Sequence, residues 1–156
     1  MLFHGKSGSK IVDMMQGDID DVNYIITDKW EYLALPFKGN YDMVLVLPKA
    51  SSSLIEGTDA FNNSEALTPN YKDVRVWLPK FSIENRHSLN DFYPKLGSGV
   101  QQIAKISLDE EGVTAATATI TQDGLRYEIM FDRPFLYSIV NRTTKTNLMV
   151  GAVVDF

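Results

Sequence analysis

The chain has 156 residues, of which 44% are hydrophobic and 22% are charged, with a net charge of −5 and a pI near 4.9. This length and composition suit one folded domain over residues 1–156. The 15 basic residues are scattered along the sequence, which argues against nucleic acid or an anionic membrane surface as a partner. No cysteine and no run of about 20 apolar residues occur, so neither thiol chemistry nor a spanning helix is predicted.

The first ten residues, MLFHGKSGSK, lack the apolar core of a signal peptide, so the sequence predicts no particular compartment. Gly17 to Asp21 begins like a calcium loop but lacks its later Gly and bidentate Glu, and an acidic turn is predicted instead. The two histidines, His4 and His87, have no cysteine or suitably spaced carboxylate beside them. We therefore predict no metal site and no cofactor.

Strands are predicted next along the chain. Ile25-Ile26 and Tyr32–Leu35 precede a turn at Phe37–Asn40, and the apolar run Met43–Leu47 follows it and stops at Pro48. An unbroken apolar run bounded by a turn and a proline is typical of a strand that is covered on both faces.

A polar segment, residues 50–71, is predicted as loop with one short helix near Ser52 to Phe61. In the strand that follows, Val74 to Leu78, apolar residues alternate with Arg75 and Trp77. Such alternation predicts a strand whose two faces have different environments.

The last third begins with Ser88, which is suited to cap a short helix ending near Lys95. Gln101–Leu108 alternates polar and apolar residues and is predicted as a half-buried strand. The apolar segments Phe135–Val140 and Leu148–Val154 are joined by a polar turn, which predicts a buried hairpin.

The segment between these strands, DEEGVTAATATIT from Asp109 to Thr121, has an unusual composition. After two acidic residues and Gly112 it contains only small or β-branched residues, and it has no charge from Val113 to Ile120. Small and β-branched side chains suit a segment that leaves water and becomes a buried strand, and Gly112 supplies a pivot that tolerates many backbone angles.

This arrangement resembles the reactive-loop hinge of serpins, and four further blocks occur in the family's order. These blocks are VDMMQ (Val12–Gln16), EYLALPFKGNYDMVLVLP (Glu31–Pro48), VRVWLPKFSIENRHSLNDFYPKLG (Val74–Gly97) and FDRPF (Phe131–Phe135). The resemblance covers nearly the whole chain but only the C-terminal part of a serpin. It implies an α+β fold of mainly antiparallel sheets with one or two short helices and an extended reactive-centre-like loop over residues 110–130.

The resemblance implies a serine protease inhibitor that acts through loop cleavage and strand insertion, and not an enzyme. Val113 stands where the family usually has Thr or Ser at the first insertion position. Insertion excludes charge, because an unpaired buried charge is costly. The hinge is predicted at Glu110, Glu111, Gly112, Val113, Thr114, Ala115, Ala116, Thr117 and Ala118.

Two ways of counting place the scissile bond differently. Counting forward from Glu110 at the family's spacing puts the residue before the cut at Arg126, with Tyr127 after it. Counting back from Phe131 puts the cut near Asp123, because this loop is about three residues shorter than the family pattern. Arg126 implies a trypsin-like target protease, whereas the further candidate Leu125 suits a chymotrypsin-like or elastase-like one.

The chain departs from the family that it resembles in three ways. Gln102 stands where the family usually has a His, and the connection between Gly97 and the Gln101 strand is shorter than the family's. The N-terminal part that would supply the second wall of the insertion slot is missing. The implied partners are therefore a target serine protease and either a complementary N-terminal serpin fragment or a second copy. The alternative is a non-inhibitory serpin-like binding or structural module that self-associates through exposed strand edges.

Overall fold

The computed structural model describes residues 1–37, 39–62, 68–88, 101–108 and 126–156. Strands dominate these ranges, and two short helices accompany them, which confirms the predicted fold class. The elements are β1 Leu2–His4, β2 Ser9–Ile11, β3 Met14–Ile26, β4 Trp30–Pro36, β5 Tyr41–Pro48, α1 Leu54–Gly57, α2 Asp59–Asn62, β6 Tyr71–Pro79, β7 Phe81–Ser88, β8 Gln101–Leu108, β9 Tyr127–Met130, β10 Phe135–Asn141 and β11 Asn147–Val153.

A seven-stranded sheet in the order β11-β10-β5-β4-β3-β6-β9 forms the body of the described structure. Its neighbours pair antiparallel, except that β6 and β9 pair in parallel. The predicted two-sided burial of Met43–Leu47 is confirmed, since each residue of this run is at most 4% exposed. Met43, Leu45 and Leu47 pack into the main core, whereas Val44 and Val46 pack into a second cluster on the opposite face.

The two short helices cover part of that second cluster. The segment Ser52 to Phe61, predicted as one short helix, forms α1 and α2. Ser53 begins α1 with a capping box, because its hydroxyl accepts from the Glu56 N–H while the Glu56 carboxylate accepts from the Ser53 N–H. Gly57 lets α1 approach β5 and β10, since a Cβ there would lie only 3.0 Å from Leu136 Cδ1.

Two predictions of local structure need correction. Gly17 to Asp21 lies inside β3 and not in a turn, because the strand continues through a bulge between Ile19 and Val22. The terminal hairpin forms as predicted, but only β10 is well buried. Strand β11 lies at the sheet edge, where Leu148 and Val150 are 58% and 55% exposed.

Strand β6 has the two different faces that its alternation predicts, with its even-numbered apolar side chains buried. The predicted strand Gln101–Leu108 is confirmed as β8, which pairs with β7 in a separate two-stranded ribbon. Phe81 joins this ribbon to the main core, where its ring contacts Phe135 at 5.8 Å between centroids. Ser88 is the last residue of β7, and the helix predicted after it lies outside the described residues. Neither described helix is long and apolar enough to cross a membrane.

Candidate functional site

The candidate loop is held at its two ends by different sheets. Strand β8 ends at Leu108, opposite Phe81 in the ribbon, and β9 begins at Tyr127, opposite Val74 in the seven-stranded sheet. The residues between 108 and 126 lie outside the described ranges. They include the whole predicted hinge and two scissile-bond candidates, namely Glu110, Glu111, Gly112, Val113, Thr114, Ala115, Ala116, Thr117, Ala118, Asp123 and Leu125.

Strand β8 is positioned to accept another strand. It pairs with β7 on one side, and across the described ranges no strand pairs with its other side. An unpaired edge presents a row of N–H and C=O groups that favours the addition of a strand. The predicted hinge starts at Glu110, two residues after this strand ends.

The loop is much longer than the gap it crosses. Val74 and Phe81, which mark its two ends, are seven residues apart in mostly extended backbone, or at most about 25 Å. The two lateral steps to the neighbouring strands add about 5 Å each. Residues 109–126 reach about 60 Å when extended, so the sequence provides enough length to project away from both sheets.

Arg126, the first scissile-bond candidate, is held against strand β3. Its side chain is 20% exposed, and its Nη1 lies 2.8 Å from Asp20 Oδ1. Nη1 is closed off from solvent and, within the described ranges, makes no hydrogen bond of acceptable geometry. The contact with Asp20 is therefore an electrostatic attraction without a well-directed hydrogen bond.

Tyr127, the residue that follows, is part of β9. Its ring is 42% exposed and packs edge to face on Tyr24 with 5.8 Å between centroids, while Lys72 Nζ lies 5.5 Å from the ring centroid. Burial, together with the hydrogen bond that its hydroxyl donates to Glu31, raises the pKa of Tyr24. Tyr24 therefore keeps its proton as it supports the start of β9.

A row of charges crosses the sheet beside Arg126. Arg75 donates through Nε and Nη2 to the two oxygens of Asp18 at 2.7 and 3.1 Å, and its Nη1 lies 3.8 Å from Glu128. The hydrogen bonds from Arg75 hold the pKa of Asp18 below its usual value despite partial burial, and the charges of Arg75 and Arg126 act in the same direction. The row links β3, β6 and β9.

This row was not predicted from the sequence, because Gly17 to Asp21 was interpreted as an acidic turn. The signal was present, since Asp18 and Asp20 lie on either side of Ile19, which is buried. Side chains two apart share one face of a strand. What the sequence did not provide was the identity of the cations that face them.

A cavity lies over strands β3, β4, β5 and β10 of the sheet. This cavity of about 630 Å³ is lined by residues that include Tyr32, Asp42, Phe61 and Arg142. Arg142 is already engaged, because its Nε donates to Asp42 at 2.6 Å and its Nη2 donates to two backbone carbonyls. Burial and the nearby Asp42 charge raise the pKa of Tyr32 to about 12. In the part of the chain that the structure describes, no cluster of His, Asp and Glu is arranged to hold a metal ion.

Comparisons with known proteins agree with this architecture. In a structure of the thermophilic serpin Tengpin in its native state, the match covers 100% of this chain and 49% of that chain, with 21% identity and a TM-score of 0.79. A structure of thyroxine-binding globulin in complex with thyroxine matches 99% of this chain and 49% of that one, with 22% identity and a TM-score of 0.75. These likenesses establish the fold as the C-terminal portion of a serpin.

Sequence comparison gives the same relationship. An alpha-1-antitrypsin-like protein of Tamias sibiricus is 32% identical over 154 aligned positions, which cover 79% of this chain and 37% of that protein. The chain spans less than half the length of this relative and of the two matched structures. The family model described as serpin (serine protease inhibitor) matches residues 1–101 and 96–156. Because these matches together span the sequence from end to end, the chain belongs to the serpin family.

Proposed function

We propose that this chain supplies the reactive loop and one wall of the insertion slot of a serpin-type serine protease inhibitor. The observation that carries the proposal is the placement of the loop. It starts at β8, which has an edge available within the described structure, and it returns at β9 in a different sheet. A loop tethered in this way would offer its middle part to a protease and its first part for insertion as a strand beside β8.

The chemistry belongs to the target protease. Its serine oxygen attacks the carbonyl carbon of the bait residue, the peptide C–N bond breaks, and the freed amine takes a proton, which leaves the bait residue joined to the protease as an ester. If the N-terminal piece of the cut loop then pairs with β8, it carries the attached protease with it. If this movement distorts the protease before water hydrolyses the ester, the covalent adduct persists.

Chain length supports an order of events in which cleavage precedes full insertion. Pairing residues 113–120 along β8 would place Ile120 beside Gln101, and residues 121–126 then reach only about 21 Å. The path back to Val74 follows β8 for about 25 Å and then β6 for about 25 Å, and if the two meet at a right angle or a wider one its ends are at least about 35 Å apart. With β9 still paired, the uncut loop is then too short to insert completely.

The hinge composition supports insertion itself. Residues 113–120 contain no charge, proline or aromatic ring. An ionised side chain inside a sheet that is covered on its faces would cost several kcal/mol. The other wall of the slot would come from a complementary N-terminal serpin segment or from a second copy of this chain.

Covalent capture tests the proposal. The full chain is incubated with trypsin, chymotrypsin and elastase, alone and with the separately expressed N-terminal segment of an alpha-1-antitrypsin-like relative, and is analysed by denaturing gel and intact mass. We expect an adduct that survives detergent when the second wall is supplied. Peptide mapping of that adduct identifies the bait residue, for which Arg126 would indicate a trypsin-like target and Leu125 a chymotrypsin-like or elastase-like one.

A matched pair of hinge variants provides the control. Ala115→Glu places a charge two residues after the first insertion position, Val113, on the same face of the inserting strand. It should reduce adduct formation at least about tenfold, since burial of that charge costs more than about 1.4 kcal/mol. Ala115→Ser should retain the adduct. Cleavage without an adduct by every protease, with the second wall present, would contradict the proposal.

A second candidate, a self-associating module, is favoured by edge strand β11. Leu148 and Val150 are more than half exposed on this edge, and such an edge is a template for pairing between chains. We expect sedimentation velocity to show dimers or larger species that the double substitution Leu148→Lys and Val150→Lys dissociates. Lys145→Ala in the preceding turn should leave them unchanged, and a monomer at all concentrations would contradict this candidate.

A further inference from the structure

We propose that Arg126 is a positioning residue: its ion pair with Asp20 fastens the C-terminal base of the reactive loop to strand β3. The bait residue then lies upstream of Arg126, and Arg126 does not set the choice of protease. The inference rests on the proposed function for the meaning of the loop, although the contact itself is independent of it.

The position of the guanidinium carries the first step. A bait arginine must insert its side chain into the specificity pocket of the protease, so it has to be free in solvent before the encounter. The Arg126 side chain is only 20% exposed, its Nη1 is closed off from solvent, and it lies 2.8 Å from Asp20 Oδ1. Binding a protease through this side chain requires that the contact first be broken.

The backbone carries the second step. A protease holds several residues on both sides of the cut in an extended conformation, with their backbone groups available for pairing. Tyr127 to Met130 already pair with Val74 to Trp77 in β6, and the Phe131 N–H extends this register by donating to the Trp77 carbonyl at 2.9 Å. A cut between Arg126 and Tyr127 would therefore require β9 to detach.

The balance of charge carries the third step. Asp18 and Asp20 are two residues apart in β3, and Arg75 neutralises Asp18. Arg126 supplies the matching cation for Asp20, which is 41% exposed. Removal of Arg126 would take away the cation that lies 2.8 Å from Asp20, so withdrawal of this side chain is opposed by the strand that it contacts.

The sequence makes the inference simple to test. Arg126 is the sole basic residue between Lys105 and Arg133, so trypsin can cut residues 106–132 only after Arg126. Elastase accepts the small residues of 113–120 and reports on the loop upstream. Full-length chain is digested with each enzyme, and the cut positions and rates are read by intact mass against time.

In the native chain we expect elastase to cut between 113 and 125 while trypsin cuts after Arg126 at least about tenfold more slowly than in urea-unfolded chain. Asp20→Asn should accelerate the trypsin cut about two- to fivefold, the range that corresponds to a partly exposed ion pair. Asp21→Asn, which removes the same charge one residue away, should leave the rate unchanged. Added salt should accelerate the cut in the parent chain but not in Asp20→Asn.

Hydrogen exchange of residues 127–130 gives a readout that does not depend on the trypsin site. Arg126→Gln should accelerate exchange there, and Arg126→Lys, which keeps the charge, should restore slow exchange. Rapid trypsin cleavage of the native chain after Arg126, with no response to Asp20→Asn or salt, would overturn the inference. An adduct mapped to Arg126 would overturn the positioning role of Arg126 and would support the proposed inhibitory function. Slow trypsin cleavage after Arg126 together with no adduct would support the positioning role and contradict the proposed function.

Discussion

The two ends of the proposed reactive loop are built differently. At its beginning, β8 is paired to one neighbour in a two-stranded ribbon, and within the described residues its other edge accepts no strand. At its end, β9 is paired into a seven-stranded sheet, its Ile129 is 2% exposed, and Phe131 just beyond it is fully buried. The comparison indicates that addition of a strand is open to the N-terminal end and that the C-terminal end resists displacement.

This difference suits the proposed trap, since only one piece of a cut loop would have to move. The N-terminal piece is continuous with β8 and would pair beside it. The C-terminal piece would be retained by β9 and by the phenyl rings that follow it, so movement of the N-terminal piece alone would separate the two. Substitutions at the retained end test whether it is as firm as its packing suggests.

The largest effect is expected from Phe131→Ala. The ring is fully buried and packs edge to face on Phe135 with 5.1 Å between centroids, so its removal leaves a cavity at the base of the loop. We expect the free energy of unfolding in urea to fall by about 3–5 kcal/mol. Met130→Ala, at a side chain that is 36% exposed, should cost less than about 1 kcal/mol. Similar losses for the two variants would contradict the firm anchoring of this end.

An intermediate effect is expected from Tyr127→Ala at the first residue of β9. The substitution removes the edge-to-face contact with Tyr24 and the cation–π contact with Lys72. We expect a loss of about 0.5–1.5 kcal/mol, accompanied by faster hydrogen exchange confined to residues 127–130. Tyr71→Ala, at a ring that is 61% exposed, is the matched control. Faster exchange throughout the sheet would show that β9 opens only together with the whole sheet and not by itself.

The sequence predicted the strands better than the ion pairs that join them. Strands β5 and β6 follow from local apolar runs and alternation, because burial on two faces or on one produces these patterns in the sequence. The partners of Asp18 and Asp20 lie 57 and 106 positions away, and only the pairing of distant strands brings them together. Strand β11 is exposed because it lies at the edge of the sheet, and its own apolar residues do not show whether another strand covers it.

The smallest effect is expected from Asp18→Asn, and it depends on pH. Arg75 lowers the pKa of Asp18 in the folded chain relative to its ordinary value. A lowered folded-state pKa contributes stability that is present above the unfolded pKa, near 3.9, and is lost as the pH falls through the folded value. The parent chain should therefore exceed Asp18→Asn in urea midpoint at pH 7 and 5, and the difference should shrink below about pH 4. Both side chains are more than one-third exposed, so solvent screening keeps the difference small.

Repeating the Asp18→Asn measurement in an Arg75→Gln background isolates the cause of this pH dependence. Without the Arg75 guanidinium, the loss of stability on acidification that is assigned to Asp18 should become much smaller, since only the more distant charge of Arg126 remains to lower the pKa of Asp18. A difference that instead persists, or grows as the pH falls, would mean that the carboxylate is stabilised by something other than β6. Because β6 is the strand that receives β9, a positive result would place this ion pair among the contacts that hold the C-terminal end of the loop while the N-terminal end stays free to add a strand.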